Sequence, residues 1–327
     1  MKCFYYSRYR FYKPNVKHEP CFFLISDIHF SSKIRSSRLD AITMQARRFA
    51  PDYILVAGDI VDSLDEIDTD TKLKRLLAWL ENLGTVAPVI AILGNHDFYL
   101  KNPDHTNIFS KKRHWFSEKQ HSFIQAVNDL PNVTLLDNSV YEDHNVYIFG
   151  YTQTPEYYQF DRDEERTTSI FHPGNEDKDI LLSDLKTIDP KLIHNLPAHK
   201  AKIALAHSPV HINHPDIQPF FADFDFVICG HMHSGAVPPV LNDFWRSDRG
   251  LMAPGKLFFP PNSRAHITKP DQKVITCGAI STIQKSAKPL TFLNSVFPVN
   301  IATLEFSHRE TYAKKPDVKH QYISFNQ

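Results

Sequence analysis

Five hydrophobic segments of this chain end in the same way, in histidine, carboxylate or asparagine side chains of the kind that bind metals. Each segment is short and rich in branched or aromatic residues, as is typical of a buried β-strand. The carboxyl ends of strands in α/β proteins meet at one crevice, so we expect these polar groups to share a site. The groups are Asp27-Ile28-His29, Gly58-Asp59-Ile60-Val61-Asp62, Gly94-Asn95-His96-Asp97, His207 and Gly230-His231-Met232-His233.

Segments with helical spacing of apolar residues alternate with these strands, and this alternation predicts an α/β fold. Between the first two strands, Leu39, Ile42 and Ala46 share one helix face, with Ser36 or Ser37 as the predicted N-cap. The predicted helices cover residues 36–49, 70–83 and 179–195, with a partly helical region over 110–130. The predicted strands cover residues 21–26, 53–57, 89–93, 133–136, 146–149, 202–206 and 224–229.

The balance of charge excludes one class of partner. Lys and Arg together number 37, as do Asp and Glu, so the formal net charge of the 327-residue chain is zero. A neutral protein lacks the clustered positive charge that long nucleic acids require, and we expect none as a partner. The four cysteines are widely separated, and no apolar run reaches the roughly 18 residues that cross a bilayer. These features predict a cytoplasmic protein without a transmembrane segment.

The chain is predicted to form one large domain, because the polar clusters share chemistry only if the segments that carry them pack together. We place this domain at residues 21–306, after a basic and aromatic arm at 1–20 and before a tail at 307–327. Two long connections without clear periodicity, residues 151–178 and 236–273, are predicted insertions. They serve either as ordered lids or as partly disordered surface loops.

The convergent side chains are carboxylates, imidazoles and one amide, without a thiolate. Nitrogen and oxygen ligands of this kind favour Mn, Fe, Zn or Co. Two cations roughly 3.5–4 Å apart need an anionic group between them, and Asp59 at the end of a central strand suits that position. Asp62 is predicted either to orient a ligand through a hydrogen bond or to cap a helix.

The ordered motifs D-x-H, G-D-x-x-D, G-N-H-D, H and G-H-x-H resemble those of the calcineurin-like metallophosphoesterase superfamily, over residues 21 to about 235. The resemblance implies a four-layer α/β/β/α sandwich with a dinuclear metal site at the strand ends. It also implies a catalytic role for His96, oriented by Asp97. Of the two implied divalent ions, one is bound by Asp27, His29 and His233 and the other by Asn95, His207 and His231, with Asp59 bridging both.

The activity implied is phosphoester hydrolysis by a hydroxide that bridges the metals, with His96 protonating the leaving group or stabilising phosphoryl charge. A phosphodiesterase or pyrophosphatase is favoured, because the long connection after His233 offers a wall for the second substituent of a diester. A phosphomonoesterase of the same fold, or a non-catalytic metal-binding scaffold for partner proteins, is the alternative.

Cations alternate with aromatic residues between Trp245 and Arg264, where we expect the substrate to bind. Arg246, Arg249 and Arg264 are the candidate residues, because a guanidinium group binds phosphate through two hydrogen bonds. A capping loop with solvated cations is the competing interpretation. The Asp-Arg-Gly segment at 248–250 is similar to bacterial phosphodiesterase members of the superfamily. The predicted partners are therefore small phosphorylated molecules such as nucleotides, nucleotide-sugars or lipid-linked phosphates.

Overall fold

A computed structural model shows two β-sheets packed face to face. It describes residues 3–31, 34–67, 70–100, 114–115, 117–158, 177–237, 241, 249–253, 257–258, 262–264, 273–280, 299–314 and 316–325. The strands in chain order are β1 (Cys3–Tyr12), β2 (Cys21–Ile25), β3 (Tyr53–Ala57), β4 (Val89–Ile92), β5 (Tyr99–Leu100), β6 (His114–Trp115), β7 (Val133–Leu136), β8 (Ser139–Glu142), β9 (Val146–Tyr151), β10 (Ala201–Ala206), β11 (Phe226–Cys229), β12 (Met252–Ala253), β13 (Leu257–Phe258), β14 (Val274–Thr276), β15 (Val299–Ser307) and β16 (Asp317–Ser324).

The first sheet has the strand order β16-β1-β15-β2-β3-β4-β7, and the second has the order β14-β11-β10-β9-β8. Two small pairs, β5 with β6 and β12 with β13, lie outside them. The strands β2, β3 and β4 are parallel neighbours and buried on both faces, which explains their continuous hydrophobic sequences. The described helices are α1 (Ser36–Phe49), α2 (Asp70–Gly84), α3 (Ser117–Asn128), α4 (Pro155–Tyr158), α5 (Lys178–Leu185) and α6 (Thr311–Lys314).

Three apolar cores separate the layers of the sandwich. The first packs α1, α2 and α3 on the outer face of the first sheet and contains Ile42 and Leu80. The second lies between the sheets and contains Leu55 and Ile203, while the third, with Leu181, packs α4 and α5 on the second sheet. Alternate residues of each strand supply opposite cores, because successive side chains point to opposite faces. The layer order confirms the predicted α/β/β/α sandwich.

The two ends of the chain differ from their prediction as an arm and a tail. The strand β1 runs parallel to β15 and antiparallel to β16, so both chain ends belong to the first sheet. The charges that make this region look like a solvated arm are paired: Arg8 bonds to Asp317 at 2.7 Å and Arg10 to Glu305 at 2.6 Å. The remaining domain boundaries stay a prediction.

Two helices begin or end at other residues than predicted. The residue at the N-cap of α1 is Arg35, without a side-chain capping bond, rather than Ser36 or Ser37. The helix predicted over 179–195 is only α5, capped by Asp177, and a short 3-10 turn follows at Pro190–Leu192. A proline lacks the N–H that an α-helix needs at such a position.

The predicted insertions are described only in part. Residues 159–176 of the first and most of the second lie outside the described residues. The described start of the first insertion forms the end of β9 and helix α4, with Tyr157 and Tyr158 buried. The prediction that these connections act as lids therefore stays untested.

Candidate metal centre

The ends of both sheets bring the predicted ligands together at one edge of the sandwich. The loop after β2 carries Asp27, whose N–H donates to the Gly58 carbonyl after β3 at 3.1 Å. On the second sheet, the Gly230 N–H after β11 donates to the His207 carbonyl after β10 at 2.8 Å. The His231 N–H donates across to the Asp27 carboxylate at 3.1 Å. Main-chain bonds thus connect the loops within each sheet, and the Asp27 carboxylate connects the loops of the two sheets.

Five of the seven predicted ligands have a left-handed backbone. The φ angles are 51° at Asp27, 46° at His29, 51° at Asp59, 67° at His231 and 47° at His233. Such a conformation is uncommon and strained for residues with a Cβ, and it persists only where the surroundings impose it. Its concentration at these strand ends is typical of a functional site.

Close backbone approach explains two glycines of the motifs. A Cβ on Gly94 would overlap the carboxylate and the N–H of Asp59. Gly58 has a φ of +84°, and a Cβ there would lie 2.5 Å from the Nδ1 atom of His207. Larger residues at either position would displace the carboxylate or the imidazole.

The first group of side chains has the composition of a divalent-cation site. One ligand atom from each of Asp27, His29, Asp59 and His233 lies within 4.8 Å of the others. The Nε2 atom of His29 is 3.1 Å from Nε2 of His233 and 3.7 Å from Oδ2 of Asp59. Nε2 of His233 is 3.3 Å from Oδ1 of Asp27. Two carboxylates and two imidazoles directed at one point fit a metal such as Mn, Fe or Zn.

The second group is built around His207, with Asn95 and His231 beside it. The Nδ1 atom of His207 lies 2.7 Å from the Ala57 carbonyl oxygen, which turns Nε2 toward Asp59 Oδ2 at 3.3 Å. This Nε2 atom is buried and makes no hydrogen bond. The Asn95 Oδ1 and His231 Nδ1 atoms are 3.0 Å apart. A cation beside Asp59 would satisfy the unpaired nitrogen, so these residues fit a second metal.

The charge state of the carboxylates suits a cation. Burial opposes the ionisation of Asp27, but the hydrogen bond and charge of His233 outweigh it and lower the pKa of Asp27 to about 2. Burial opposes ionisation of Asp59 as well, yet the charges of His207 and His96 hold its pKa well below the usual range. Both groups are therefore anionic at neutral pH.

The imidazoles divide into two types. Burial, with the added effect of His96, lowers the pKa of His29 to about 3, so this ring is neutral and keeps a lone pair for a metal. Burial disfavours the charged form of His207 too, but Asp59 outweighs it and raises the pKa of His207 to about 9. Asp59 thus attracts a positive charge to Nε2, and metal binding there would displace a proton.

The predicted catalytic histidine lies next to the first group. The ring centroid of His96 is 4.5 Å from that of His29. The main-chain N–H of His96 donates to Asp59 Oδ1 at 2.8 Å. The His96 Nδ1 atom lies 2.8 Å from the main-chain carbonyl oxygen of Asp62. The Asp62 backbone therefore orients His96, and a carboxylate oxygen of Asp62 also lies within 4.8 Å of ligand atoms of His29 and His96.

The Asp97 carboxylate bonds to main-chain N–H groups, and its predicted role in orienting His96 stays a prediction. Its buried carboxylate accepts hydrogen bonds from the N–H groups of Gly94 at 2.8 Å, Val61 at 2.8 Å and Ile60 at 3.2 Å. Burial and the nearby charge of Asp59 raise the pKa of Asp97 to about 7. The side chain joins the loops after β3 and β4, because three converging N–H groups match a carboxylate better than one imidazole does.

The three predicted substrate arginines have different locations. Arg246 lies outside the described residues, and Arg249 is exposed. Arg264 is only 3% exposed, and its electrostatic neighbours include Tyr5 and Tyr9 of β1. This burial against the first sheet argues against a role for Arg264 in substrate binding.

Sequence reasoning missed three polar residues of the site. The Ser26 hydroxyl donates to Asp27 Oδ2 at 2.6 Å. Gln153 and Tyr158 surround the backbone that follows His207. Ser26 directly precedes a motif, and this position was the available signal. Gln153 and Tyr158 belong to a segment without periodicity, so no pattern distinguishes them.

A family model for calcineurin-like phosphoesterases matches residues 22–235, more than half of the chain. The chain belongs to this family. Within the described residues of this phosphoesterase, no helix has both the length and the apolar character needed to cross a membrane.

Several known proteins are similar to this phosphoesterase. An uncharacterized metallophosphoesterase of Campylobacter jejuni is 23% identical over 70% of this chain and 48% of its own length. A transmembrane protein with a metallophosphoesterase domain from Danio rerio is 25% identical over 66% of this chain and 41% of its own length. The phosphoesterase therefore spans less than half of each curated relative. A solved dimetal phosphatase from Danio rerio is 17% identical, and the match covers 82% of this chain and 88% of the phosphatase chain with a TM-score of 0.39.

Proposed function

We propose that this phosphoesterase binds two divalent ions, drawn from Mn, Fe, Zn and Co, and hydrolyses phosphodiesters or pyrophosphates. The observation that supports the proposal is the position of Asp59 between two groups of ligand atoms. Its Oδ2 atom lies 3.7 Å from His29 Nε2 on one side and 3.3 Å from His207 Nε2 on the other. A carboxylate shared in this way would offset the mutual repulsion of two cations.

Each proposed ion has its own ligands besides Asp59. Asp27, His29 and His233 would hold the first, and Asn95, His207 and His231 the second. When bound, the ions supply Lewis-acid activation of water and neutralise charge on the phosphoryl oxygens. The chain contributes fixed ligand positions, since the Ala57 carbonyl orients His207 and the Ser26 hydroxyl orients Asp27.

His96 is the proposed proton donor. The Asp62 carbonyl oxygen accepts only, so Nδ1 of His96 carries the proton in their 2.8 Å contact. Because Nδ1 keeps its proton in this contact, the ring would donate from Nε2 as the doubly protonated imidazolium and would be left neutral with its remaining proton on Nδ1. His96 is only 8% exposed, which keeps the ring in one orientation. Asp97 supports this arrangement indirectly, through the loops that carry the ligands.

The long connection after His233 favours a diester over a monoester, because it offers a wall for the second substituent. Arg264 is buried against the first sheet. A monoester is a dianion, whereas a diester or each bridged phosphate of a pyrophosphate carries less charge per phosphorus and needs fewer cations. Nucleotides, nucleotide-sugars and lipid-linked phosphates are the proposed substrates, with Arg246 and Arg249 as contact residues.

A hydrolysis panel with Mn²⁺ tests the proposal. The panel contains an aryl monoester, an aryl diester, cyclic nucleotides and a nucleotide-sugar lipid, and we expect the diesters or the pyrophosphate to be cleaved fastest. A preference for the monoester would replace the diesterase proposal with a phosphomonoesterase of the same fold. Failure to cleave any phosphoester while two ions are bound would favour the scaffold alternative.

The predicted cytoplasmic location belongs to the same proposal. One relative is named a transmembrane protein, so location needs its own test. We expect the full-length protein in the cytoplasmic fraction of disrupted cells, and recovery with membranes would contradict this.

A further inference from the structure

A buried network of side-chain hydrogen bonds lies directly beside the second ligand group. It joins Gln153, Tyr158 and Ser208, the residue that follows His207. We propose that Gln153 and Tyr158 are positioning residues that hold His207 and His231 in place for the second ion. This inference rests on the proposed function, because it takes those histidines to be metal ligands.

Gln153 extends the sheet beyond the last strand pair. The strands β9 and β10 pair in parallel up to Tyr151 opposite Ala206. Gln153 lies two residues further along, and its side-chain amide bonds to both backbone groups of Ser208. Nε2 donates to the Ser208 carbonyl at 2.9 Å, and Oε1 accepts from the Ser208 N–H at 2.6 Å. The amide therefore replaces the main-chain partner that β9 no longer supplies, and it fixes the backbone immediately after His207.

Tyr158 fixes the amide and contacts the imidazoles. Its hydroxyl donates to Gln153 Oε1 at 2.9 Å, which makes that oxygen the acceptor for two donors. Its ring centroid lies 5.7 Å from that of His231 and 6.4 Å from that of His207. One side chain thus connects the Gln153 amide with both histidines of the second group.

His207 is consequently held from two directions. The Ala57 carbonyl of the first sheet binds Nδ1, and the Gln153 amide holds the backbone from the second sheet. Gln153 is 1% exposed and Tyr158 is 5% exposed. An amide and a hydroxyl are costly to bury unless all their bonds are made. A network that served packing alone could be replaced by apolar side chains without effect on metal affinity, and this difference is measurable.

The test measures Mn²⁺ binding to the metal-free, full-length protein by equilibrium dialysis. The variant Gln153→Leu keeps a similar side-chain volume but loses the hydrogen bonds to Ser208. We expect it to weaken the affinity for one of the two ions by about 10- to 100-fold. Tyr158→Phe removes only the hydroxyl, and it should reduce the affinity for the same ion by less than Gln153→Leu does. The matched control is Tyr147→Phe, which removes a hydroxyl on β9 that donates to the Leu192 carbonyl at 3.2 Å. It should bind both ions as the native protein does.

Two background variants show which ion is affected. His29→Ala removes a ligand of the first group, and His207→Ala removes one of the second. In the His29→Ala background, adding Gln153→Leu should weaken the affinity for the remaining ion, which is the second. In the His207→Ala background, it should leave the affinity for the remaining ion, which is the first, unchanged. Equal weakening in both backgrounds, or in neither, would overturn the positioning role. If Gln153→Leu does not fold, Tyr158→Phe in the same backgrounds decides the question by the same criterion.

Failure of the proposed function has a different signature. A native protein that saturates at one ion would contradict the two-ion proposal. The positioning role would then be judged on that single ion. It stands if His207→Ala abolishes binding and Gln153→Leu weakens it, and it falls if Gln153→Leu binds the ion with native affinity.

Discussion

At the scale of single residues, His96 is the side chain whose removal we expect to separate catalysis from metal binding. It lies beside the ligands but bonds to the Asp62 carbonyl. We expect His96→Ala to lower kcat by about 10²- to 10⁴-fold, as is usual when a general acid is lost. Metal content should stay native, and aryl esters with acidic leaving groups should retain the most activity because they need protonation least.

Steady-state kinetics on a series of aryl diesters, with elemental analysis of the same samples, provides the measurement. The exposed His121 on α3 offers a control, and His121→Ala should behave as native. Loss of one ion from His96→Ala would make His96 a ligand instead.

Asp97 gives a second prediction at this scale. Its carboxylate accepts three backbone N–H groups from two loops, whereas an amide in its place has a single acceptor oxygen. Asp97→Asn should therefore lower the free energy of unfolding by about 2 kcal/mol, the cost of leaving a buried donor unpaired. Urea unfolding in the presence of a chelator measures this without a contribution from metal. Asp62→Asn is the comparison variant, because Asp62 holds His96 through its main-chain carbonyl, which the substitution keeps.

The competing expectation for Asp97 comes from the sequence, which predicts that it orients His96. In that case Asp97→Asn would lower kcat and leave the unfolding transition where it is. Such a result would support the predicted role.

The motifs predicted which residues the structure brings together in the two candidate ligand groups, because residue type and spacing are local properties of the chain, and their role as ligands stays a prediction. The supporting residues were not predictable in this way. Gln153 acts on the backbone of Ser208, 55 positions away, and any polar residue could occupy its place in the sequence. The main-chain partners of Asp97 were not predicted either, because adjacency to His96 in sequence does not show which way each side chain points.

At the scale of secondary-structure elements, the sequence predicted the strands that consist of a continuous, mostly apolar run of residues. The predicted bounds of β3 and β7 agree with the structure, and β2 and β4 are each one residue shorter in the structure than predicted. The pairing of β1 could not be predicted, because its partners β15 and β16 lie about 300 residues away along the chain. Its arginines interrupt the apolar pattern, and only the folded chain supplies the acidic residues that pair with them.

The pairing of β16 with β1 predicts a pH dependence of stability. His320 on β16 lies 2.9 Å through Nδ1 from the Ser7 hydroxyl of β1. Burial, with a contribution from Arg264, lowers the pKa of His320 from 6.5 to about 4. The folded state therefore favours the neutral ring. This contribution to stability is fully present above pH 6.5 and is lost as the pH falls toward 4, by on the order of 3 kcal/mol.

Urea unfolding between pH 7.5 and 4.5 would measure this effect as the difference between the native protein and His320→Asn. We expect the native protein to lose more stability on acidification than the variant, which has no ring to protonate. The exposed His121 again provides a control, as His121→Asn should follow the native curve. Parallel curves for the native protein and His320→Asn would show that β16 is not held by a neutral His320.

At the scale of the whole molecule, the candidate metal centre lies where the two sheets meet. The first sheet supplies Asp27, His29, Asp59 and Asn95 from the ends of β2, β3 and β4. The second sheet supplies His207, His231 and His233 from the ends of β10 and β11. An ion bound by ligands from both sheets would connect them, in addition to the apolar core between their faces.

Metal removal should therefore destabilise the entire sandwich rather than one loop. His29 Nε2 and His233 Nε2 lie 3.1 Å apart, and one carboxylate oxygen each of Asp27 and Asp59 lies within 4.8 Å of both. An ion that binds only the folded state adds about 2.7 kcal/mol when present at 100 times its dissociation constant. We expect Mn²⁺ to raise the urea midpoint of the chelated protein in a single cooperative transition, and Asp59→Asn to lose most of that increase because both groups use Asp59. A midpoint independent of Mn²⁺ in the native protein would mean that the ligands do not link the sheets, since a connection between layers must be broken when the layers separate.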